Sequence, residues 1–489
     1  MDPILIAFLI PILVPFTIGL YLFLLDGRKA DSYLLILLSL ILSSYIFGTF
    51  LFITSKQEIL HYIISYTEYT GEFYGFIIDP MSVAVGFVVI TAGTIFLVYS
   101  IDYMSPNNKF HPVHSGKGRF YGWMLLFIGA TLAFIHSSTI IQLLMFFEVM
   151  SFSCWGLVSY YGTEKALRSA NKALIYTHVG AMIGLFTASS ICLFHLHDFS
   201  LTAINKLEPM LKYQLFAAAM IAAFSKSAQF PFYSWLPDAM VAPTPASAFL
   251  HGAAMVEMGV YLLARLAQFA TPLPQGIFWL MLFFIMITGA ICMLMYPVQR
   301  DAKRLLAYST IGESMVMYVG VLYATTGSLL GLQATILQLF NHAYVKGLAF
   351  LTAGVFGYSL GTHSMEKIKG LIKSSPLIAA AWTLSLLGLT GVPPFGIFYG
   401  KLMVISSATI VDHIAWSIIP LLVVLLDSTI FFIVGLSWIH EMVFKECKKP
   451  STISITTLMK LCILSLIVFS LISNYIAYPL ITRIRFLGG

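Results

Sequence analysis

The 489-residue chain is 59% hydrophobic and only 10% charged, with a mean hydropathy of +0.89 and a formal net charge of +6. Soluble domains carry about 25% charged residues, so this composition excludes a water-soluble globule and indicates a protein embedded in a bilayer. Basic residues do not form blocks interleaved with aromatics, which argues against a nucleic-acid partner. The cysteines are scattered without a CxxC pair, which argues against a zinc site, an iron–sulfur site or a disulfide framework: Cys154, Cys192, Cys292, Cys447 and Cys462.

Apolar runs long enough to cross a bilayer recur along the whole chain. A spanning helix needs about 20 mostly apolar residues. Dividing the apolar runs at polar breaks predicts an all-α polytopic membrane protein of about fourteen spans, at 3–25, 32–54, 79–101, 120–137, 138–161, 170–196, 212–232, 244–268, 274–298, 303–323, 329–360, 377–406, 412–438 and 455–480. The tyrosine-rich stretch 56–76 predicts a short outer hairpin or cap, and stretch 198–212 predicts an interfacial helix.

Lysine and arginine predict how the spans are oriented, because loops on the cytoplasmic side carry an excess of both. If the N-terminus lies outside, the inner loops hold 17 basic residues, whereas the outer loops and the C-terminal tail hold five. These predicted inner loops are 26–31, 102–119, 161–172, 233–243, 299–304, 361–376 and 439–454. This bias predicts a multi-pass protein of the cell membrane with both ends outside.

Ionisable residues fall near the middle of several predicted spans, where each costs about 2.5–3.5 kcal/mol. A chain keeps such residues only with internal partners or a hydrated path. The nine candidates for an ion-translocating set are Glu148, Lys226, Glu257, Glu313, Lys346, Lys401 and Asp427, together with the histidines His251 and His342. A third mid-span histidine, His178, accompanies them without joining the set. His342 and Lys346 are four residues apart and share one helix face.

A purely structural interpretation of these residues is also open. The charges could form salt bridges that pin the helices together, and a lone histidine in a helix is more often a hydrogen-bonded core residue. Seven mid-span charges of both signs nevertheless exceed what packing requires, and buried ion pairs are poor stabilisers.

Proline interrupts two of the predicted spans beside a lysine. The seventh contains Lys226-Ser-Ala-Gln-Phe-Pro-Phe-Tyr-Ser-Trp-Leu-Pro-Asp238, and the twelfth contains Gly388-Leu-Thr-Gly-Val-Pro-Pro-Phe-Gly-Ile-Phe-Tyr-Gly-Lys401. Proline frees backbone carbonyls, which is tolerated in a membrane only where protein or water satisfies them. Paired interrupted helices in two halves of a chain are typical of a transport site made of inverted repeats. The alternative is that the prolines only kink two core helices.

The paired breaks predict two inverted five-helix repeats with broken helices 7 and 12. The first repeat is 120–268 (spans four to eight) and the second is 274–438 (spans nine to thirteen), flanked by 1–119 and 439–489. In this pairing Glu148 corresponds to Glu313, Lys226 to Lys401 and Glu257 to Asp427. The match is imperfect, because Lys226 precedes its prolines and Lys401 follows them.

Four segments carry a resemblance to a known family. They are FSKSAQFPFYSWLPDAMVAPTPASAFLHGAAMVEMGVYLLAR at 224–265, DAKRLLAYSTIGE at 301–313, FNHAYVKGLAFLTAG at 340–354 and GVPPFGIFYGK at 391–401. The first is highly specific and the others moderately so. Together they resemble the antiporter-like subunits shared by respiratory complex I, Mrp-type sodium/proton antiporters and membrane-bound hydrogenases. The resemblance runs from about Asp79 to Lys401 and beyond.

The resemblance implies a fourteen-helix fold with two inverted repeats and a lateral proton path. By position that path falls on Glu148, Lys226, Glu257, His342 with Lys346, and Lys401. Glu257 departs from the family pattern, because relatives commonly carry a lysine or another non-acidic residue there, and a carboxylate inverts the local charge. The chain ends soon after the fourteenth span, without the long lateral helix of the largest complex I subunit, so we expect a compact relative of the Mrp or hydrogenase type.

The predicted function is that of an antiporter-like subunit in a redox-driven or Mrp-type complex, moving protons alone or coupled to sodium ions. Lys226 would exchange protons with water, and the Glu148 carboxylate would favour its charged form. The chain shows no GxxxxGK[ST] loop, haem motif or cluster ligand set, so we expect no cofactor and no redox or hydrolytic centre on it. The expected partners are homologous antiporter-like subunits and a redox module.

Two other functions stay open at this point. A stand-alone secondary transporter of a small solute predicts one central binding site rather than charges spread over several helices. A structural membrane anchor predicts that neutralising the buried lysines leaves pumping intact.

Overall fold

A computed structural model describes residues 2–408, 414–445 and 453–488. Residues 446–452 of the predicted inner loop 439–454, which include Cys447, lie outside the described ranges. The α-helices are α1 Pro3–Tyr21, α2 Gly27–Ser55, α3 Pro80–Tyr103, α4 Lys117–Ile135, α5 Ile140–Val158, α6 Glu164–Leu196, α7 Pro209–Lys226, α8 Trp235–Asp238, α9 Thr244–Gly252, α10 Met255–Ala270, α11 Gln275–Met295, α12 Ala302–Thr325, α13 Leu329–Val355, α14 Leu371–Ser374, α15 Pro376–Thr390, α16 Gly396–Ser407, α17 Ile414–Ile439 and α18 Thr457–Ile481. One β-hairpin joins β1 Leu60–Thr67 to β2 Gly71–Ile78.

Twelve helical segments of the described chain are long and apolar enough to cross a membrane, with α9 and α10 counted together. Each matches one predicted span. The remaining two predicted spans are those expected to be broken, since α7 ends at Lys226 and the twelfth span divides into α15 and α16. The chain is therefore a polytopic helical membrane protein, whereas the total of fourteen crossings and the repeat boundaries stay predictions.

Helix breaks occur at both predicted places and at one more. After Lys226 the backbone is non-helical up to the short α8, and α15 ends where Gly391 adopts a left-handed φ of 84° ahead of Pro393 and Pro394. The eighth span, predicted to be continuous, is also interrupted, because α9 ends at Gly252 and α10 begins at Met255. No proline marks this third break, so the sequence pattern contained no sign of it.

The stretch predicted as an outer hairpin is the β-hairpin, whose strands pair antiparallel from Leu60 opposite Ile78 to Thr67 opposite Gly71. It covers the turn between α4 and α5, where the Ile77 amide donates to the carbonyl of His136 at 2.9 Å. Stretch 198–212 differs from its prediction: it contains a short 3₁₀ turn, Leu201–Lys206, and the first residues of α7. Proline at the first position of α7 starts that helix inside the stretch.

Loops predicted to share a side of the membrane are in contact in the structure. Five predicted inner loops (102–119, 161–172, 233–243, 299–304 and 361–376) contribute to the lining of a single cavity. On the predicted outer side, Arg483 in the C-terminal tail donates to the carbonyl of Gln57 at 2.6 Å, and Tyr62 of the hairpin donates to Asp2 near the N-terminus. The grouping agrees with the predicted alternation of the spans.

Helix α13 occupies the centre of the bundle. It packs against seven other helices, namely α3, α9, α10, α12, α15, α16 and α18. Polar side chains along α13 are therefore shielded from lipid and can act only on groups within the protein.

Candidate ion-translocation site

One face of α13 organises the buried charges. Gln338, His342 and Lys346 are spaced four apart, lie on the same face and are fully buried. Gln338 Nε2 donates to Glu313 Oε2 at 2.8 Å, and His342 Nδ1 lies 2.7 Å from Glu257 Oε1. A single helix thus contacts both central carboxylates.

Lys346 extends the same face by one turn. Its ammonium donates to Ser309 Oγ at 2.6 Å on α12. Ser309 is one turn before Glu313 on that helix, so α12 runs beside α13 and presents a hydroxyl and a carboxylate to it.

Lys401 lies in the second turn of α16, and its side chain reaches back across the break to the end of α15. Its ammonium lies 2.7 Å from Glu313 Oε1 and donates to the Leu389 carbonyl at 3.1 Å and to Ser428 Oγ at 3.0 Å. Leu389 belongs to the last turn of α15, whose carbonyls have no partner within the helix. The break therefore supplies a partly negative helix end to the lysine, which favours its charged form.

Asp427 lies beside the same group. Its Oδ1 accepts a hydrogen bond from the Tyr296 hydroxyl at 2.9 Å. A Cβ at Gly312, the residue before Glu313, would lie 3.1 Å from Asp427 Oδ1. The carboxylate of Asp427 thus packs against α12 next to the Glu313–Lys401 pair.

The break between α9 and α10 places two candidates at facing helix ends. Glu257 is in the first turn of α10, where the helix dipole favours a carboxylate, and His251 is in the last turn of α9. His251 Nδ1 lies 3.2 Å from Thr310 Oγ1.

Four buried polar atoms along this row have no hydrogen-bond partner in the described parts of the protein: His251 Nε2, Glu257 Oε2, Gln338 Oε1 and His342 Nε2. Buried polar groups in folded proteins are nearly always paired with protein or with water, and unpaired groups of this kind are the usual partners of internal water. The row is thus chemically suited to hydration.

Lys226 is the last residue of α7 and is fully buried. Its ammonium donates to the Phe147 carbonyl and to Ser151 Oγ, both at 2.8 Å, and lies 3.8 Å from the centre of the Phe147 ring. The next residue, Ser227, donates to the Val256 carbonyl at 2.6 Å. The end of α7 therefore touches the first turn of α10, which carries Glu257.

Glu148 differs from the other eight candidates, all of which are buried. Its side chain is 27% exposed and its Oε2 lies 2.9 Å from His178 Nδ1 on α6. The predicted close pairing with Lys226 is not seen, since no ion pair joins the two among the residues described. Phe147 and Ser151 share the α5 face that meets Lys226, and Glu148 is turned about 100° away from it.

Sequence reasoning missed the neutral partners and one ion pair. Asp79 and Arg265 are both buried, with Nη2 2.9 Å from Oδ1 and Nη1 3.0 Å from Oδ2, and Gln268 donates to the same carboxylate. This pair has its hydrogen bonds satisfied and so pins α3 to α10. Gln338 lies four residues before His342 on the same helix face, but a lone glutamine there carries no signal in a single sequence, and neither do Ser151 and Ser309.

No metal centre is indicated in the part of the chain that the structure describes, because no three histidine, cysteine or acidic side chains converge there. The expectation that this chain carries no cofactor stays a prediction.

Comparison with known proteins is consistent with this geometry. Residues 137–429, which include all nine candidates, match the family described as NADH:quinone oxidoreductase/Mrp antiporter, TM. The chain belongs to this antiporter family. The family match begins just after α4 and ends within α17, so it covers α13 and most of the helices that pack against it.

Curated relatives of this antiporter-family chain include a Na(+)/H(+) antiporter subunit from Alkalihalophilus pseudofirmus. It is 33% identical over 422 residues, which are 82% of this chain and 50% of the relative. A Na(+)/H(+) antiporter subunit from Staphylococcus haemolyticus is 33% identical over 368 residues, covering 72% of this chain and 44% of the relative. The chain thus spans about half the length of these relatives.

Two solved structures share the fold. The Mrp complex from Dietzia sp. contains a chain that matches 99% of this one over 51% of its own length, with a TM-score of 0.83 and 22% identity. The membrane-bound sulfane sulfur reductase, an archaeal respiratory membrane complex, contains a chain that matches 98% of this one over 96% of its own length, with a TM-score of 0.83 and 21% identity.

Proposed function

We propose that this chain is an antiporter-like subunit of a multi-subunit, Mrp-type ion-translocating membrane complex, and that it moves protons along the buried row. The observation that carries the proposal is the continuity of that row. Lys226 leads through the contact of Ser227 with Val256 to Glu257, then to His342, and along α13 to Glu313 and Lys401. A solute transporter would need one central site, whereas these groups are spread over five helices.

Each member of the row can change its protonation state at modest cost only if a neighbour compensates its charge. Glu257 with His342 and Glu313 with Lys401 are such neighbours, each within 2.7 Å. A proton leaving one pair changes the net charge that the next pair feels, which couples their titrations. The unpartnered Oε2 of Glu257 and Nε2 of His342 offer sites where water can receive or deliver that proton.

The energy for transport comes from outside this chain. Moving one charge across 100 mV costs about 2.3 kcal/mol, and no redox or hydrolytic centre is expected here. Partner subunits or a sodium gradient supply that energy in this proposal. The curated relatives, named as Na(+)/H(+) antiporter subunits, support a sodium-coupled complex.

The proposed location is the cell membrane, with both termini outside. The 17 basic residues in one set of loops against five in the other support this orientation, as does the meeting of five loops of the first set around one cavity. A single cysteine introduced in 361–367 should react with an impermeant reagent from the cytoplasmic side only.

Lys401 provides the test of function. Vesicles containing the assembled complex should lose at least tenfold in proton flux with Lys401→Ala. Lys401→Arg should lose as much, because a guanidinium keeps the charge but cannot release a proton at usable pH. Normal flux with Lys401→Arg would reduce the lysine to a structural counter-charge.

The control for Lys401 is Lys460→Arg. Lys460 lies in the first turn of α18, is exposed and forms no part of the row. Flux per assembled complex should match the wild type in this variant. A fall there would mean that lysine-to-arginine changes disturb assembly in general.

A further inference from the structure

The cavity where the five predicted inner loops meet contains none of the nine candidate residues. It has a volume of about 250 Å³. Its polar lining includes His111, Lys165, Asp238, Lys303 and His363. Such a concentration of ionisable groups at one mouth of the bundle is not required by packing.

Lys303 forms the floor of this cavity. It is the second residue of α12 and only 3% exposed, and its ammonium donates to the carbonyls of Met240 at 2.8 Å and Ala242 at 2.7 Å. No carboxylate in the described ranges forms an ion pair with it. An ammonium has three donors, so one remains for the cavity, and a buried lysine without a counter-charge is suited to giving up its proton.

One face of α12 leads from Lys303 to the buried row. Lys303, Leu306 and Thr310 are spaced by three and four residues and share that face, over a rise of about 10 Å. Lys346 Nζ lies 3.5 Å from the Leu306 carbonyl, and His251 Nδ1 lies 3.2 Å from Thr310 Oγ1. Lys346 and His251 thus contact the two turns of α12 that follow Lys303.

Hydrogen bonding at Thr310 fixes which nitrogen of His251 can take a proton. The Thr310 hydroxyl donates to the Leu306 carbonyl at 2.8 Å, so its oxygen must accept from His251 Nδ1–H. A neutral imidazole has one donor and one acceptor nitrogen. Nε2, which has no partner among the described residues, therefore carries the free lone pair.

The histidines of the cavity are held neutral. Burial, followed by the charge of Lys303, lowers the pKa of His363 to about 3, and the same two causes lower the pKa of His111. Neutral imidazoles can pass hydrogen bonds without leaving a fixed charge at the mouth. The charged and titratable groups facing Lys303 from its own and the neighbouring elements are Asp301, Arg304, His111, Tyr161, Lys165, Asp238, His363, His251 and Lys346.

We propose that this cavity is the inner intake of the proton path and that Lys303 is its loading group. The Lys303 ammonium releases a proton, through water, to Nε2 of His251 and becomes a neutral amine. It then regains a proton from the inner aqueous phase through water in the cavity, so one proton enters the row for each cycle and Lys303 returns to its charged form. This inference rests on the proposed function and adds the site where protons enter.

The test uses the assembled complex in vesicles, with flux normalised to assembled protein. Lys303→Met and Lys303→Arg should each lower proton flux at least tenfold, the first because no proton can bind and the second because none can leave. Lys460→Met, which removes an exposed lysine of α18 outside this cavity, should leave flux within twofold of wild type. Normal flux in assembled Lys303→Met would overturn the proposal.

A second measurement holds even if Lys303 variants assemble poorly. Val241→Cys places a thiol on the cavity wall, and a bulky impermeant maleimide applied from the inner side should then block flux. Ser437→Cys is the matched control, since Ser437 lines a separate cavity with Arg300 and Glu366 and its labelling should have no effect. Unchanged flux in fully labelled Val241→Cys would contradict the intake. Absence of flux in unlabelled wild type would instead reject the proposed function, and this inference with it.

Discussion

At the scale of single residues, the nine candidates follow from one physical rule, that a charge inside an apolar run needs a reason to be there. The same rule says nothing about their neutral partners. Lys346 donates to Ser309, Lys226 donates to Ser151, and Gln338 donates to Glu313. Serine and glutamine nevertheless occur in membrane helices for many reasons. The direction in which Glu148 points, toward His178, also depends on helix rotation that no spacing in this sequence reveals.

Glu148 and Lys226 should act as a unit although they do not touch. Glu148→Gln and Lys226→Ala should each lower proton flux at least tenfold, because the carboxylate favours the charged lysine across α5. The double variant should be within twofold of the worse single one, as groups that act together are non-additive. Flux and assembled protein are measured for all four forms.

If Glu148 and Lys226 instead acted only as a structural charge pair, flux and assembly of the same four forms would follow a different pattern. Each single change would then lower the amount of assembled complex, and the double change would partly restore it. Normal flux in either single variant, with assembly intact, would exclude this part of the relay.

Protonation of His363 should lower the free energy of unfolding in acid. Its pKa is about 3 in the folded protein, against 6.5 when exposed, so the unfolded chain binds the extra proton between these values. Stability should therefore fall as pH drops below 6.5, by up to about 1.4 kcal/mol per pH unit. His363→Asn keeps a donor for the Ala353 carbonyl without a titrating group, and its Tm should fall less between pH 7.5 and 5.5. Equal falls in both proteins would contradict this.

At the scale of elements, sequence pattern predicted the breaks that proline causes and missed the one without it. Pro231 and Pro237 follow α7, and Pro393 follows α15. Between α9 and α10 the turn is made by Gly252, Ala253 and Ala254, which are common inside helices. Tertiary packing of α9 and α10 against α13 overrides the local preference there.

The Gly391 turn should matter for transport as well as for stability. A Cβ at Gly391 would lie 3.0 Å from Lys401 Cδ, and its φ of 84° strains any other residue. Gly327 has a similar φ of 97° with open space around it. Gly391→Ala and Gly327→Ala should each lose about 1–2 kcal/mol to backbone strain, with similar falls in Tm.

Flux should separate the two glycine variants. Only Gly391→Ala displaces the lysine, so only this variant should lose proton flux, by several-fold per assembled complex. Equal flux in both variants would show that the position of Lys401 is not set by the end of α15.

At the scale of the whole molecule, hydropathy located the helices because a bilayer forces every backbone group to be satisfied within a helix. The central place of α13 was not predictable in the same way. Its residues are buried although several are polar. The packing of α3, α12, α15 and α16 around it explains how Gln338, His342 and Lys346 are tolerated. The family resemblance supplied what hydropathy could not, namely which charged spans meet.

Glu257 joins the Lys226 end of the row to the α13 end, so it gives the most direct test of a continuous path. Proton flux is measured in vesicles of assembled complex carrying Glu257→Gln, with Glu164→Gln, at an exposed ion pair with Arg168, as the control. A glutamine can still hydrogen-bond His342 but cannot bind and release a proton. We expect at least a tenfold loss of flux with Glu257→Gln, normal assembly, and no change in the control. Wild-type flux with Glu257→Gln would contradict a proton path through this row.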